Sequence, residues 1–183
     1  MEKYSKNVCE LKYEFVKTYK GNSHTTEILP NMPTDSFLIN EKQLSLLHKF
    51  LDVNPIYSTH ISQKISDIEY TISEGDLNNY WIDSIKHDAS YAPFYPTWML
   101  SAWGLALAAK NFGFEKIIDI GSGDGRIAYC GKVLGLDTLS IEIDENLVNL
   151  QENLSEKTDV RFNPICSDAT VYNFENDVSK KTI

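Results

Sequence analysis

The spacing of apolar positions divides the chain into two parts. In residues 1–90, alternation of apolar and polar side chains over 9–15 predicts a short strand. Apolar residues recur every three or four positions over 40–52 and 61–75, which predicts two amphipathic helices, and a third helix is expected to begin at Asp76. We therefore expect this part to be a mostly helical N-terminal extension. It would act either as a lid or substrate cap, or as a packing element that covers a neighbouring sheet.

The second part, residues 91–183, alternates between short apolar runs and amphipathic segments. A helix predicted over 98–111 is apolar on most sides, which is typical of a buried helix. Three short apolar runs then follow as predicted strands, at 116–120, 138–143 and 160–165. Because a predicted helix separates each pair of strands and the connections are short, the pattern predicts parallel β-α-β units. We expect an α/β fold with a doubly wound parallel sheet.

Composition narrows the classes of function. The 183 residues include 17 Lys and Arg against 26 Asp and Glu, a net charge of −9, which argues against a nucleic-acid partner. Such acidity would attract a basic protein substrate. Three scattered cysteines show no metal-ligand spacing, so we expect no metal site and a reducing compartment. The sequence shows no signal peptide and no run of about 20 apolar residues, so we expect a cytoplasmic protein without a membrane span.

A glycine-rich stretch, IIDIGSGDGR at 117–126, follows the first predicted strand of the second part and opens a helix. Gly121 and Gly123, with Ser122 between them, permit a sharp turn and leave no Cβ beside a bound ligand. Ligands of open α/β sheets bind beyond the carboxyl ends of the strands, where this loop is expected to lie. The loop is therefore the predicted ligand site.

Two classes of ligand compete for such a loop. A dinucleotide fingerprint, G-x-G-x-x-G, places a pyrophosphate on the helix N-terminus. Here Gly125 comes one residue early, and Arg126 stands where the third glycine is expected. Asp119 and Asp124 would repel a pyrophosphate but would suit S-adenosylmethionine (SAM), which carries an ammonium and a sulfonium group. The pattern favours SAM.

Acidic residues at the next two strand ends support this interpretation. Glu142 lies near the carboxyl end of the second strand, where its carboxylate can accept hydrogen bonds from both ribose hydroxyls. Asp168 and Ala169 follow the third strand, where they can read the edge of an adenine. Each acid alone could be a solvated residue at a strand end, and the glycine loop alone could be only a turn. The coincidence of signals at three successive strand ends favours a binding site.

These residues resemble a known family. The run IDIGSGDGRI at 118–127, with SIEID at 140–144, resembles class I SAM-dependent methyltransferases, whose sheet is Rossmann-like. Within that class, PFYPT at 93–97 resembles a lysine-methylating branch that includes archaeal and mitochondrial protein-lysine methyltransferases and histone-methylation enzymes of the disruptor-of-telomeric-silencing type. Carried over by position, the resemblance implies SAM contacts in the loop at Asp119, Gly121, Ser122 and Gly123, with the methionine end of SAM at Asp119 and the glycines. It also implies that Glu142 holds the ribose and that Ile143, Asp168 and Ala169 contact the adenine. Tyr95 and Thr97 would lie beside the methionine carboxylate or the substrate channel.

The resemblance implies methyl transfer from SAM to a lysine amine of a protein. Two alternatives stay open: an RNA or small-molecule methyltransferase on the same scaffold, and a catalytically inactive SAM-binding module. A class I domain continues to seven strands, whereas this chain ends at 180–183, about where a fourth strand is expected to begin. We therefore expect a fragment of a longer enzyme, unless the N-terminal part completes the fold. In such a chain an exposed sheet edge would pair with a partner or a second copy, and no catalytic residue is assigned.

Overall fold

The computed structural model describes residues 1–78, 80 and 94–183. The helices and strands in these residues follow one another in this order: α1 (Glu2–Thr18), β1 (Thr25–Pro30), α2 (Glu41–Val53), β2 (Tyr57–Ile65), β3 (Ile68–Gly75), α3 (Met99–Asn111), β4 (Lys116–Ile120), α4 (Arg126–Val133), β5 (Asp137–Glu142), α5 (Glu145–Thr158) and β6 (Asn163–Cys166). The strands form two sheets, an antiparallel one in the order β1-β3-β2 and a parallel one in the order β4-β5-β6.

The helix predicted over 61–75 is wrong, because this stretch is a β-hairpin of β2 and β3. Ser66 and Asp67 form its two-residue turn, both with positive φ (47° and 68°), as a tight turn between antiparallel strands requires. The isoleucines that suggested a helical face are placed symmetrically about that turn. Consequently Ile65 is paired with Ile68, and position 61 with position 72, across the two strands.

The strand predicted over 9–15 is also wrong, since these residues lie inside α1. The buried side chains of this helix recur at helical spacing: Tyr4, Val8, Leu11 and Phe15. Leu11 and Phe15 belong to both the alternating and the helical pattern, whereas Cys9 and Tyr13, which only alternation would bury, are exposed. With a three-stranded sheet in it, the N-terminal part is not the mostly helical extension that periodicity indicated. The third helix expected from Asp76 lies mainly outside the described residues.

The helix predicted over 40–52 is confirmed as α2. Asn40 caps it, accepting a hydrogen bond from the backbone of Gln43 (2.9 Å) while the Gln43 side chain accepts one from the backbone of Asn40 (3.0 Å). This reciprocal capping box satisfies two of the backbone donors that a helix N-terminus otherwise leaves unpaired. Leu44, Leu47 and Leu51 then lie on the buried face.

The α/β fold with a parallel sheet is confirmed in the second part. β5 lies between β4 and β6, and both pairings are parallel, as the alternation of strands and helices predicts. On the other side of β4, the last residues of the chain pair with it in parallel: the Ile183 N–H donates to the Lys116 carbonyl (3.0 Å), and the Ile118 N–H donates to the Ile183 carbonyl (2.8 Å). The order of segments therefore reverses beside β4, which is where open α/β sheets bind ligands.

One hydrophobic cluster joins the two parts of the chain. Met99, Leu100 and Trp103 of α3 are fully buried and belong to the same cluster as the antiparallel sheet and the helices of the parallel sheet. The helix predicted over 98–111 is present as α3, which begins one residue later than predicted, with Trp98 at its cap position. No helix in the described ranges is both long enough and apolar enough to cross a lipid bilayer.

Candidate functional site

The glycine loop runs between β4 and α4 at the carboxyl edge of the parallel sheet. The N–H groups of Gly121 and Ser122 donate to the Ile141 carbonyl near the end of β5 (2.8 and 3.2 Å), so the loop bends over the neighbouring strand. Gly121 and Gly123 have φ of 70° and 58°, which side chains with a Cβ rarely adopt. A Cβ added to Gly121 would meet nothing within 4 Å. The loop therefore leaves open space at Gly121, as a ligand-binding loop requires.

Glu142 and the glycine loop come together. The carboxylate of Glu142 is buried, and its Oε2 accepts a hydrogen bond from the Gly123 N–H (2.8 Å) across 19 residues of sequence. Its Oε1 accepts from the backbone N–H groups of Ile143 and Asp144 (2.9 and 3.1 Å). A carboxylate oxygen has two lone pairs, so Oε2 can accept one further hydrogen bond. Glu142 thus braces the loop and keeps acceptor capacity at the strand end.

Asp119 is the last buried residue of β4 before the glycine loop. Its side chain is 9% exposed, and its Oδ2 has no hydrogen-bond partner among the described residues. Burial, with the nearby carboxylates of Asp124 and Glu142 adding to its effect, raises the pKa of this carboxyl to about 7. A cation placed beside Asp119 would relieve both the missing hydrogen bond and the repulsion. The residue is therefore suited to a positively charged ligand group.

Asp124 does not take the ligand-facing role that the sequence suggested. Its side chain is 1% exposed, and Arg126 binds it with two hydrogen bonds, from Nε to Oδ1 (2.8 Å) and from Nη2 to Oδ2 (2.6 Å). The Asn54 amide also donates to Oδ2 (3.1 Å). The charge of Asp124 is therefore used inside the protein, because it neutralises an arginine that is itself buried. Of the two loop acids, only Asp119 is available to a ligand.

Arg126 carries this network into the N-terminal part of the chain. Its Nη1 donates to the Glu27 carboxylate and to the Thr97 carbonyl (2.5 Å), and its Nη2 donates to the Tyr57 hydroxyl (2.9 Å). Burial raises the pKa of Glu27, while the charge of Arg126 opposes that rise. The sequence pattern did not predict this cluster. The sequence feature that pointed to this cluster was Arg126 itself, a charged residue at the start of a helix whose apolar side chains face the core.

A second anchor of the loop, Gln151 of α5, was also missed. Its Nε2 donates to the Ser122 hydroxyl and to the Gly123 carbonyl, both at 2.9 Å, and the Gln151 side chain is completely buried. Ser122 was predicted as a SAM contact, but its hydroxyl serves this internal hydrogen bond. Nothing in the local pattern distinguishes Gln151 from an ordinary polar residue of an amphipathic helix.

The remaining predicted contacts lie at or near the same edge. Ile143 follows Glu142 and is half-buried, and Asp168 and Ala169 follow β6, also half-buried. The Asp168 carboxylate accepts hydrogen bonds from the backbone and the hydroxyl of Thr170 (both 2.8 Å), and these bonds lower its pKa. Tyr95 and Thr97, the other two predicted contacts, are exposed. The backbone carbonyl of Thr97 accepts a hydrogen bond from Arg126. Within the ranges that the structure describes, no group of three His, Cys, Asp or Glu residues is placed to hold a metal ion.

Comparison with known proteins gives similarity to solved structures only. No protein-family model matches the chain, and no curated protein resembles it in sequence. Similar solved structures include TehB from Haemophilus influenzae, with 24% identity over 56% of this chain and 32% of that one and a TM-score of 0.33. They also include PH1948 from Pyrococcus horikoshii, a candidate RNA methyltransferase, with 21% identity over 52% of this chain and 54% of that one and a TM-score of 0.40. An S-adenosylmethionine-dependent methyltransferase from Clostridium acetobutylicum has 15% identity over 54% of this chain and 38% of that one, with a TM-score of 0.36. The matched region thus spans between about a third and a half of these proteins.

Proposed function

We propose that the glycine loop binds SAM and that the chain contains the cofactor-binding part of a SAM-dependent methyltransferase. One observation carries this proposal. At the carboxyl edge of the parallel sheet, an open glycine turn lies between the buried, incompletely paired carboxylate of Asp119 and the carboxylate of Glu142. The site therefore offers negative charge and acceptor oxygens. Arg126, the arginine beside the loop, has all five of its N–H donors engaged within the described residues and is not available to a pyrophosphate.

The residues of the site fit the chemical groups of SAM. Asp119 would hold the ammonium group, because its Oδ2 lacks a partner among the described residues and its ionisation is costly without a nearby cation. Glu142 would accept a ribose hydroxyl with the remaining lone pair of Oε2. Ile143 and Ala169 would cover the adenine, and the open face of Gly121 would admit the methionine part. When bound, SAM supplies an electrophilic methyl group on a sulfonium.

We further infer that the acceptor is a lysine amine of a protein. Two features support this choice: the resemblance of PFYPT at 93–97 to the lysine-methylating branch, and the net charge of −9, which would attract a basic segment and repel RNA. The amine must lose its proton before it can attack, so an acidic surface that gathers lysines is not sufficient for catalysis. We assign no catalytic residue. Pairing of a partner or a second copy with the β6 edge stays a prediction.

Calorimetric titration tests the cofactor proposal. SAM, S-adenosylhomocysteine and NAD would be titrated into the parent chain, into Glu142→Gln, and into Glu145→Gln as a matched control, since Glu145 is an exposed acid three residues further on. We expect micromolar binding of SAM and S-adenosylhomocysteine but not of NAD. Glu142→Gln should weaken that binding at least tenfold, about 1.4 kcal/mol, and Glu145→Gln should not change it. A folded parent that binds neither SAM nor its product would contradict the proposal.

Transfer of a labelled methyl group tests the acceptor. Tritiated SAM would be incubated with the protein and either a histone mixture or total RNA, and the labelled residue would be identified by mass spectrometry. Label on lysine is expected. Label on RNA would support the RNA alternative. SAM binding without transfer to either would contradict both and leave a small-molecule methyltransferase or a non-catalytic SAM-binding module.

A further inference from the structure

We propose that Glu27 and Asn54, which belong to the N-terminal part of the chain, are positioning residues that hold the glycine loop in its ligand-binding conformation. The inference rests on the proposed function of that loop. Both residues act through the buried pair Asp124–Arg126. The N-terminal part would then help to build the cofactor site, rather than only cover the sheet or recognise a substrate.

The loop needs such a support because glycines alone do not select its shape. Asp124 lies between Gly123 and Gly125, and both glycines have positive φ (58° and 77°). Glycine populates positive and negative φ about equally, so these residues permit the observed turn without favouring it. Asp124 is the residue between them, and within the described ranges its side chain accepts hydrogen bonds from Arg126 and Asn54. Those bonds therefore act together with the bonds from Glu142 and Gln151 to select this conformation from the alternatives.

Asn54 contacts the loop directly from the end of α2. It is 1% exposed; its Nδ2 donates to Asp124 Oδ2 (3.1 Å), and its own Oδ1 accepts the Ile56 N–H (3.1 Å). This second bond orients the amide, so that its donor side faces Asp124. An aspartate or an alanine at this position could not donate to Asp124.

Glu27 acts from the centre of β1 through Arg126. The guanidinium has five N–H donors, and each has an acceptor. Glu27 is one of these acceptors, and its other oxygen accepts the Met99 N–H (2.8 Å), the first free backbone donor of α3. Each carboxylate oxygen of Glu27 thus faces a donor. In Glu27→Gln one of the two oxygens becomes an NH2 group that opposes a donor, so Arg126 must shift, and Asp124 and the loop must shift with it.

The experiment compares two network variants with a neighbour outside the network. S-adenosylhomocysteine would be titrated into the parent, Glu27→Gln, Asn54→Ala and Ile28→Val, and the amide signal of Gly123 would be followed by 1H–15N NMR without ligand. Ile28 lies next to Glu27 in β1 and is buried in the core, so its variant loosens packing but keeps the network. We expect the dissociation constant to rise at least fivefold in both network variants, with a displaced Gly123 signal, and to change less than twofold in Ile28→Val.

Each outcome separates the two proposals. If the parent binds but the network variants bind within twofold of it and the Gly123 signal does not move, the positioning role is refuted while the cofactor site stands. An equal loss of affinity in Ile28→Val at equal unfolding free energy would also refute it, since the effect would then be general destabilisation. No binding by the parent refutes the proposed function instead, and the Gly123 signal still tests the coupling. If Asn54→Ala does not fold, Tyr57→Phe replaces it. This variant removes only the hydroxyl that accepts from Arg126 and donates to Glu27, and affinity should fall at least twofold.

Discussion

The carboxyl group of Asp119 is buried at the ligand edge of the sheet, lacks a hydrogen-bond partner for Oδ2 among the described residues, and lies near two other carboxylates. Asp119→Asn keeps the shape of this side chain and removes its ability to ionise. Two opposite effects are expected near pH 8. The folded protein should become more stable, because a buried charge is removed, and SAM should bind more weakly, because the partner of its ammonium group is removed.

The magnitude follows from proton linkage. Burial, with the two carboxylates adding to it, raises the pKa of Asp119 from 3.8 to about 7 in the folded protein. In the unfolded chain the pKa returns to its ordinary value, so between about pH 4 and pH 7 the folded state holds a proton that the unfolded state has lost. The stability that Asp119 contributes is therefore fully present below about pH 4 and is lost as the pH rises to about 7. A tenfold change in proton affinity corresponds to about 1.4 kcal/mol, which makes the complete loss roughly 4 kcal/mol.

Urea unfolding of the parent and of Asp119→Asn at several pH values between 4 and 8 measures this effect. The free energy of unfolding of the variant, relative to the parent, should increase from pH 4 to about pH 7 and then stay constant. Asp168→Asn is a control of opposite sign, because hydrogen bonds from Thr170 lower the pKa of Asp168. That variant should be less stable than the parent above its unfolded pKa, and the difference should disappear as the pH falls. Parallel pH curves for the parent and Asp119→Asn would refute the linkage argument.

The binding half of the prediction uses the same variant. If Asp119 holds the ammonium group, SAM affinity of the parent should increase as the pH rises through about 7, where this carboxylate becomes ionised. The affinity of Asp119→Asn should be lower and nearly independent of pH in this range. Calorimetric titrations at pH 6 and pH 8 measure both. Equal pH dependence in the two proteins would show that Asp119 is not the ammonium partner.

Three further predictions concern the loop, the helix cap and the hairpin. Gly123→Ala should abolish SAM binding in calorimetry, because the φ of Gly123 is 58° and a Cβ there would lie 2.3 Å from Cε2 of Phe94. Gly113→Ala is the control: at φ 84° with nothing within 4 Å of the added Cβ, it should lower the free energy of unfolding by only about 1–2 kcal/mol and leave SAM binding intact. Asn40→Ala should cost about 1 kcal/mol through the lost capping box, and no loss would contradict the cap. Replacing the turn by Asn-Gly (Ser66→Asn with Asp67→Gly) should raise the free energy of unfolding by roughly 1 kcal/mol, since both positions have positive φ and Asn-Gly is the favoured pair there. A double variant less stable than the parent would argue against this turn.

The second part of the chain could be predicted well because its signals are local. β4 and β5 were placed within one residue of their observed bounds, and β6 was found with a later start. Short connections between strands separated by helices leave few topologies, so the parallel pairing followed as well. The position of Glu142 beside the loop was accessible for the same reason, since adjacent parallel strands bring their carboxyl ends to one edge.

The errors in the first part come from patterns that two structures share. Isoleucines spaced by four, three and four positions suit one face of a helix, and they equally suit a hairpin whose turn lies at the centre of symmetry. Only the two polar turn residues favoured the hairpin, and their positive φ is visible only in the folded chain. Over 9–15 the helical and alternating patterns shared two residues, and the burial of Tyr4 and Val8, outside that stretch, decided for the helix.

By itself, the sequence determined the parallel β-α-β units, the glycine loop and the acids at the strand ends, because hydrophobic periodicity and glycine placement act over a few residues. Tertiary structure decided what each acid does. Asp119 and Asp124 are alike in the sequence, yet Asp124 is neutralised by Arg126, and the same arginine reaches Glu27, 99 residues away along the chain. Whether a carboxylate is left for a ligand depends on which distant groups are buried beside it. That is a property of the assembled fold and not of any local pattern.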